Sequence, residues 1–179
     1  MRFSVKAIAL VALFSMFAFG QTDVPKQEVP TLLKDSTGTP MKIDFMQTLA
    51  GVNDPGMLFA HFSGKPLVIY YFSPKCPHCQ ASFPEMQNLI KKYEPKGLTG
   101  IGISIGGGIK KNDVRLFIDQ FNATFPIFQD VNAKFGPAYG TGYVPVVFIV
   151  NKDGTFYRFG DLSKKNFEQI DSLLKTMFP

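Results

Sequence analysis

The chain has 179 residues, 45% of them hydrophobic, with 19 Lys and Arg against 14 Asp and Glu and only two cysteines. Such a length and apolar content suit one domain with a sizeable core. The net charge of +5 is scattered in pairs such as Lys91-Lys92, Lys110-Lys111 and Lys164-Lys165, which argues against a nucleic-acid surface. One close cysteine pair also excludes a disulfide-stapled mini-domain, because so small a loop constrains almost nothing in the unfolded chain.

Residues 1–20 read as a secretory signal peptide. Arg2 and Lys6 give a basic start, Ala7 to Phe19 is apolar apart from Ser15, and Ala18-Phe19-Gly20 offers small residues for cleavage before Gln21. An uncleaved N-terminal anchor is the alternative, although the apolar core falls short of the roughly 20 residues of a membrane span. Residues 21–30 are polar and punctuated by proline, and are expected to be a flexible lead-in to a domain over 31–179. From Gln21 onward the net charge falls to +3.

Thr31 to Ile43 predicts a small hairpin turning at Asp35-Ser36-Thr37-Gly38, and residues 45–63 carry no clear period. The near-continuous apolar run Pro66 to Phe72 predicts a strand buried on both faces. A helix follows over 77–93, with Phe83, Met86, Leu89 and Ile90 at helical spacing and Pro84 expected to kink it. Next come a strand over 98–105, a helix over 114–121, a short strand over 125–128 and a short helix over 131–139. The last elements are a strand over 146–150, a turn at Lys152-Asp153-Gly154, a hairpin partner over 155–159, and a helix capped by Ser163 with Phe167, Ile170, Leu173 and Leu174 on one face. Strands alternating with helices, then a hairpin and a terminal helix, predict an α/β fold. Its mixed sheet would be covered on both faces, with an N-terminal hairpin and a central strand-helix insertion.

The chemistry concentrates in Cys76-Pro77-His78-Cys79, which holds both cysteines at the predicted strand-to-helix turn. Thiols at i and i+3 on a first helical turn close a disulfide readily, and the unpaired N–H groups there favour a thiolate on the first of them. Pro77 suits that turn because the N–H it lacks would have no partner anyway. His78 and Lys75 are candidates for tuning through positive charge beside Cys76, and Lys75 reads equally well as an idle exposed lysine. The bland alternative is a structural disulfide or a pair of metal ligands. A metal site would need further ligands, and the one other histidine, His61, reads as an ordinary packed or surface residue.

With these residues in place, the chain resembles the thioredoxin superfamily, and within it the exported TlpA/ResA-like branch, over most of residues 29–179. The resemblance rests on Gly64-Lys65-Pro66, the Cys-x-x-Cys, Pro84, Phe125-Pro126-Ile127, Asp130, Tyr139-Gly140, Val144-Pro145 and Phe148 to Gly154. Cys79 and Pro145 lie 66 positions apart, which suits the TlpA-like insertion and is too short for the larger helical insertion of DsbA-like oxidases. The dipeptide Pro77-His78 is nevertheless the one typical of DsbA. Lys75 replaces the family's usual tryptophan. Ser82 and Tyr70 stand where ResA-like proteins and thioredoxins place a carboxylate near the second thiol.

The resemblance implies a thiol–disulfide oxidoreductase with Cys76 as nucleophile and Cys79 as resolving thiol. Pro145 would be a cis proline facing them, with Val144 offering its backbone to an extended substrate. No metal or organic cofactor is implied. The implied partners are protein thiols and disulfides and a membrane-bound redox protein, for a monomer working in the periplasm. A TlpA-like reductase is favoured over a DsbA-like oxidase, and the direction stays open. Peroxide reduction of the peroxiredoxin type and copper delivery are the rival readings.

Overall fold

Residues 30–179 are described by a computed structural model. The signal expected at 1–20 and nearly all of the lead-in expected at 21–30 lie outside them. In chain order the elements are β1 (Ala50–Gly51), β2 (Leu67–Phe72), α1 (Pro77–Tyr93), β3 (Thr99–Ser104), α2 (Lys111–Phe121), β4 (Ile127–Gln129), α3 (Phe135–Ala138), β5 (Val146–Val150), β6 (Phe156–Gly160) and α4 (Lys164–Met177). Short 3-10 turns occupy Phe59–Phe62 and Glu94–Lys96.

The six strands form one mixed sheet in the order β1-β4-β3-β2-β5-β6. β2 lies at its centre, parallel to β3 and antiparallel to β5. That position explains the unbroken apolar run: all six residues of β2 are buried, because both faces of the sheet are covered. Val68, Tyr70 and Phe72 face a core built with α1, α2 and α4. Leu67, Ile69 and Tyr71 face the opposite core, where Phe59, Phe62, Phe135 and Tyr139 pack with Ile43 and Phe45. With 19 phenylalanines and no tryptophan, the chain fills these layers by ring contacts. Phe117 sits 4.7 Å from Phe72 and 4.9 Å from Phe83, centroid to centroid. This is the thioredoxin-like α/β arrangement that the resemblance implied.

Some elements differ in extent from expectation, and the short helix expected over 131–139 covers only Phe135–Ala138. The N-terminal hairpin forms but is short: the Asp35 N–H donates to the Thr39 carbonyl and the Met41 N–H to the Leu33 carbonyl, both at 2.9 Å, around a single bridge of Lys34 with Pro40. Asp35 accepts the N–H groups of Thr37 and Thr39 within the turn, and a second bridge pairs Lys42 with Thr155. The hairpin docks on the sheet edge, where the Leu33 N–H donates to the Phe156 carbonyl at 3.0 Å. α1 runs unbroken through Pro84, and α2 starts at Lys111, three residues before its first buried side chain.

α1 and α4 are clasped by Asp171. Its carboxylate accepts from Lys92 at 2.6 Å, from the Tyr93 hydroxyl at 2.8 Å and pairs with Lys175 at 2.8 Å. Desolvation works against the charge, yet Lys175, Lys92 and Tyr93 hold the carboxyl down at about 2. A folded value below the unfolded one makes this a stabilising contribution that is present above about pH 4 and lost as pH falls toward 2. Asp171→Asn is therefore expected to flatten the fall in urea midpoint between about pH 4 and 2 relative to wild type. Parallel curves for the two proteins would contradict the clasp.

Candidate active site

β2 ends at Phe72, and the chain turns through Ser73-Pro74-Lys75 into α1. Cys76 is the N-cap of that helix, in extended conformation, with Pro77, His78 and Cys79 in the first turn. The Cys76 N–H donates to the Ser73 carbonyl at 3.1 Å, and its own carbonyl accepts the first helical bond, from Gln80, at 3.0 Å. At the N-cap position Cys76 is only partly buried, at the rim of the core, whereas Cys79 faces the core and is fully buried.

The Val144–Pro145 peptide is cis, and the Val144 carbonyl lies 3.8 Å from the Cys76 sulfur. Sheet register brings the two together. β5 pairs with β2 so that Val146 stands opposite Tyr71, which sets the residues before β5 beside those after β2. Val144 is partly buried and Pro145 is buried. The neighbouring Tyr143 is 57% exposed and stands over this junction.

Cys79 has a neutral, closed environment. Its sulfur accepts from the Ser73 N–H at 3.5 Å. Burial pushes its thiol up to about 12, with the Cys76 sulfur adding to the rise and the Ser73 N–H opposing it. The Tyr70 hydroxyl donates to the Cys79 carbonyl at 2.8 Å and lies 2.9 Å from Ser82 Oγ. Tyr70 and Ser82, the two positions where the resemblance led one to look for a carboxylate, thus touch each other directly beneath the second cysteine.

The tuning candidates are placed differently. The Lys75 ammonium pairs with Asp113 of α2 at 2.9 Å, and Asp113 also accepts the Lys110 N–H at 2.9 Å. His78 is exposed, and among the described residues no hydrogen bond joins its ring to Cys76. The ring lies on the wall of a cavity of about 340 Å³, lined also by Ser82, Glu85, Tyr143, Pro145 and Asp161. On the other side of Val144 a second cavity, of about 270 Å³, is lined by Tyr71, Ile105, Gly106, Pro137 and Tyr143. Gly106 is required there, because a Cβ would come within 2.2 Å of the Asp130 carbonyl. His61, as expected, is an exposed residue whose ring accepts the Leu58 N–H at 3.4 Å.

Sequence reasoning missed Tyr143, Glu85 and Asp161. Tyr143 carried a usable signal, since it directly precedes Val144-Pro145. Asp161 did not, because the β6–α4 connection reaches the site only through the sheet. Among the described residues no three His, Cys, Asp or Glu side chains converge as a metal site requires, and no helix is long and apolar enough to cross a membrane.

The chain was compared with known proteins. It is 27% identical over 110 residues to the thiol-disulfide oxidoreductase ResA of Geobacillus thermodenitrificans, covering 60% of this chain and 62% of that protein. The match spans between 53% and 66% of the length of such curated relatives. Among solved structures, a secreted Mycobacterium tuberculosis disulfide oxidoreductase homologous to E. coli DsbE superposes with a TM-score of 0.63 at 18% identity, covering 74% of this chain and 96% of that one. A thiol:disulfide interchange protein of the thioredoxin family from Chlorobium tepidum gives 0.64 at 18%, covering 82% of this chain and all of the other. At those identities the superpositions establish the fold. The AhpC/TSA family model matches residues 48–158, well over half of the sequence and the whole stretch from β1 through the cysteines and the cis proline into β6, so the chain belongs to the AhpC/TSA family.

Proposed function

We propose that the protein is an exported thiol–disulfide oxidoreductase that exchanges disulfides with other proteins through Cys76-Pro77-His78-Cys79. The observation that carries this reading is the asymmetry of the pair: a partly buried Cys76 whose sulfur lies 3.8 Å from the Val144 carbonyl, and a fully buried Cys79 one turn on. A substrate disulfide approaching along the cleft meets Cys76 first. Its thiolate displaces one substrate sulfur, and Cys79 then displaces the other. An extended substrate segment would lie against Val144 and Pro145, between the two cavities. Pro77 fixes the first turn, while His78 on the cavity wall and Lys75, paired with Asp113, tune the site from its rim. The ResA name of the relatives and the DsbE-like structures support the same chemistry.

The direction we favour is reduction, with a membrane-bound partner restoring the dithiol. The spacing between Cys79 and Pro145 supports it, and the Pro77-His78 dipeptide opposes it. Residues 1–20 serve as the export signal ahead of a periplasmic domain at 31–179, working as a monomer and using no metal or organic cofactor.

Insulin reduction is expected with wild type and is expected to fall to the uncatalysed rate in Cys76→Ser. Cys79→Ala should instead accumulate mixed disulfides with proteins from an exported fraction; activity retained in Cys76→Ser would reject the mechanism. The reduction potential decides direction. A value near the roughly −270 mV of thioredoxin supports the reductase, and one near the roughly −120 mV of DsbA makes the protein an oxidant. The AhpC/TSA match gives peroxide reduction by Cys76 as a second reading. Peroxide consumption by the reduced protein, lost in Cys76→Ser and unaccompanied by insulin reduction, would favour it. Tight copper binding lost in Cys76→Ser, again without insulin reduction, would favour copper delivery.

A further inference from the structure

Among the described residues no carboxylate or imidazole touches the resolving thiol. Cys79 is 0% exposed, and its sulfur accepts the Ser73 backbone N–H beside the Cys76 and Tyr70 side chains. Tyr70, also 0% exposed, closes the space beneath it, its ring held by Phe72 at 5.5 Å and Phe83 at 5.7 Å. Ser82 Oγ donates to the His78 carbonyl at 2.8 Å, which leaves a lone pair toward Tyr70. The Tyr70 hydroxyl is a donor shared among the Cys79 carbonyl, that lone pair and the Cys79 sulfur, and accepts no proton from the thiol. Burial raises the phenol far above its ordinary range, so no phenolate forms there.

The charged and titratable groups around this cluster are few. Cys76 lies beside Cys79, and His78 and Glu85 of α1 share a cavity wall with Ser82, facing Asp161 from the β6–α4 connection. Among the described residues none of these three side chains hydrogen-bonds to Tyr70, Ser82 or Cys79.

We propose that Tyr70 and Ser82 are positioning residues that fix Cys79 yet offer its thiol no proton acceptor, so that the attack of Cys79 on the Cys76 mixed disulfide is the slow, hydroxide-dependent step of exchange. This rests on the oxidoreductase reading above. In the first step the Cys76 thiolate bonds to one substrate sulfur, the substrate disulfide breaks, and the departing thiolate takes a proton from water. In the second, Cys79 loses its proton to hydroxide and its sulfur bonds to that of Cys76. The Cys76–substrate bond breaks, the departing thiolate takes a proton from water, and the substrate leaves as a dithiol, reduced by two electrons, while the enzyme dithiol becomes a disulfide.

Burial holds the Cys79 thiol above its ordinary range, so little of it is thiolate at neutral pH, and greater intrinsic nucleophilicity recovers only part of the loss.

The test is a single-turnover quench experiment with the reduced protein and a disulfide-bonded model peptide, counting the Cys76 mixed disulfide by mass spectrometry. In wild type the mixed disulfide is expected to accumulate and to decay about tenfold faster per pH unit between about pH 6 and 8, the slope of a thiol far below its titration range. Ser82→Glu, which sets a carboxylate at the vacant position, should speed the decay at pH 7 by about tenfold or more and flatten its slope. Tyr70→Phe should keep the wild-type slope, because no acceptor has been removed. A pH-independent decay in wild type, a decay unchanged by Ser82→Glu, or a slope abolished by Tyr70→Phe would each overturn the proposal. Failure of wild type and Cys79→Ala to form any mixed disulfide would reject the oxidoreductase reading itself, a result separate from these.

Discussion

The constraint on which the site depends is the turn from β2 into α1. β2 is an interior strand, buried on both faces, so the chain leaving it at Phe72 emerges at the end of the strands and turns through three residues into a helix. Proline at the first helical position fixes where the helix starts. Helical geometry then decides the rest: the N-cap side chain projects outward, and the residue three positions on turns back onto the sheet. Two chemically identical thiols therefore acquire different surroundings from position alone, one at the surface and one in the core.

The opposite wall of the cleft follows from the same sheet. β5 runs antiparallel to β2, so its entry lies beside the exit of β2, and the backbone of Val144 comes within reach of Cys76. Tyr70 belongs to this geometry too. Its alternation partners Val68 and Phe72 face the same core, and the phenol of Tyr70 ends against the first turn of α1 because that turn crosses directly over it. A strand residue thereby controls the second cysteine without being near it in sequence.

Much of this was legible in the sequence. β2, α1, β5 and α4 matched their expected bounds closely because long apolar runs, a helical period, Pro77 and the Ser163 cap are local signals. Residues 45–63 were not legible, since they fold into a two-residue strand and one 3-10 turn that exist only by docking on β4 and the core. The N-terminal hairpin was legible from its Asp35-Ser36-Thr37-Gly38 turn, whereas its docking through Leu33 on Phe156 at the sheet edge was not. At the site, the cysteine pair was readable from its motif, and Val144-Pro145 was singled out only through the family resemblance. The engagement of Lys75 by Asp113, the placement of His78 on a cavity wall and the Tyr70–Ser82 contact were not, because each depends on elements that only tertiary structure brings together.

The central claim is that burial, set by helix position, divides the roles of the two sulfurs. Alkylation of the fully reduced native protein with iodoacetamide at neutral pH, followed by peptide mass spectrometry, measures this directly. The account predicts that Cys76 is modified while Cys79 remains protected until the protein is unfolded. Equal labelling of both cysteines in the native state, or preferential labelling of Cys79, would contradict it.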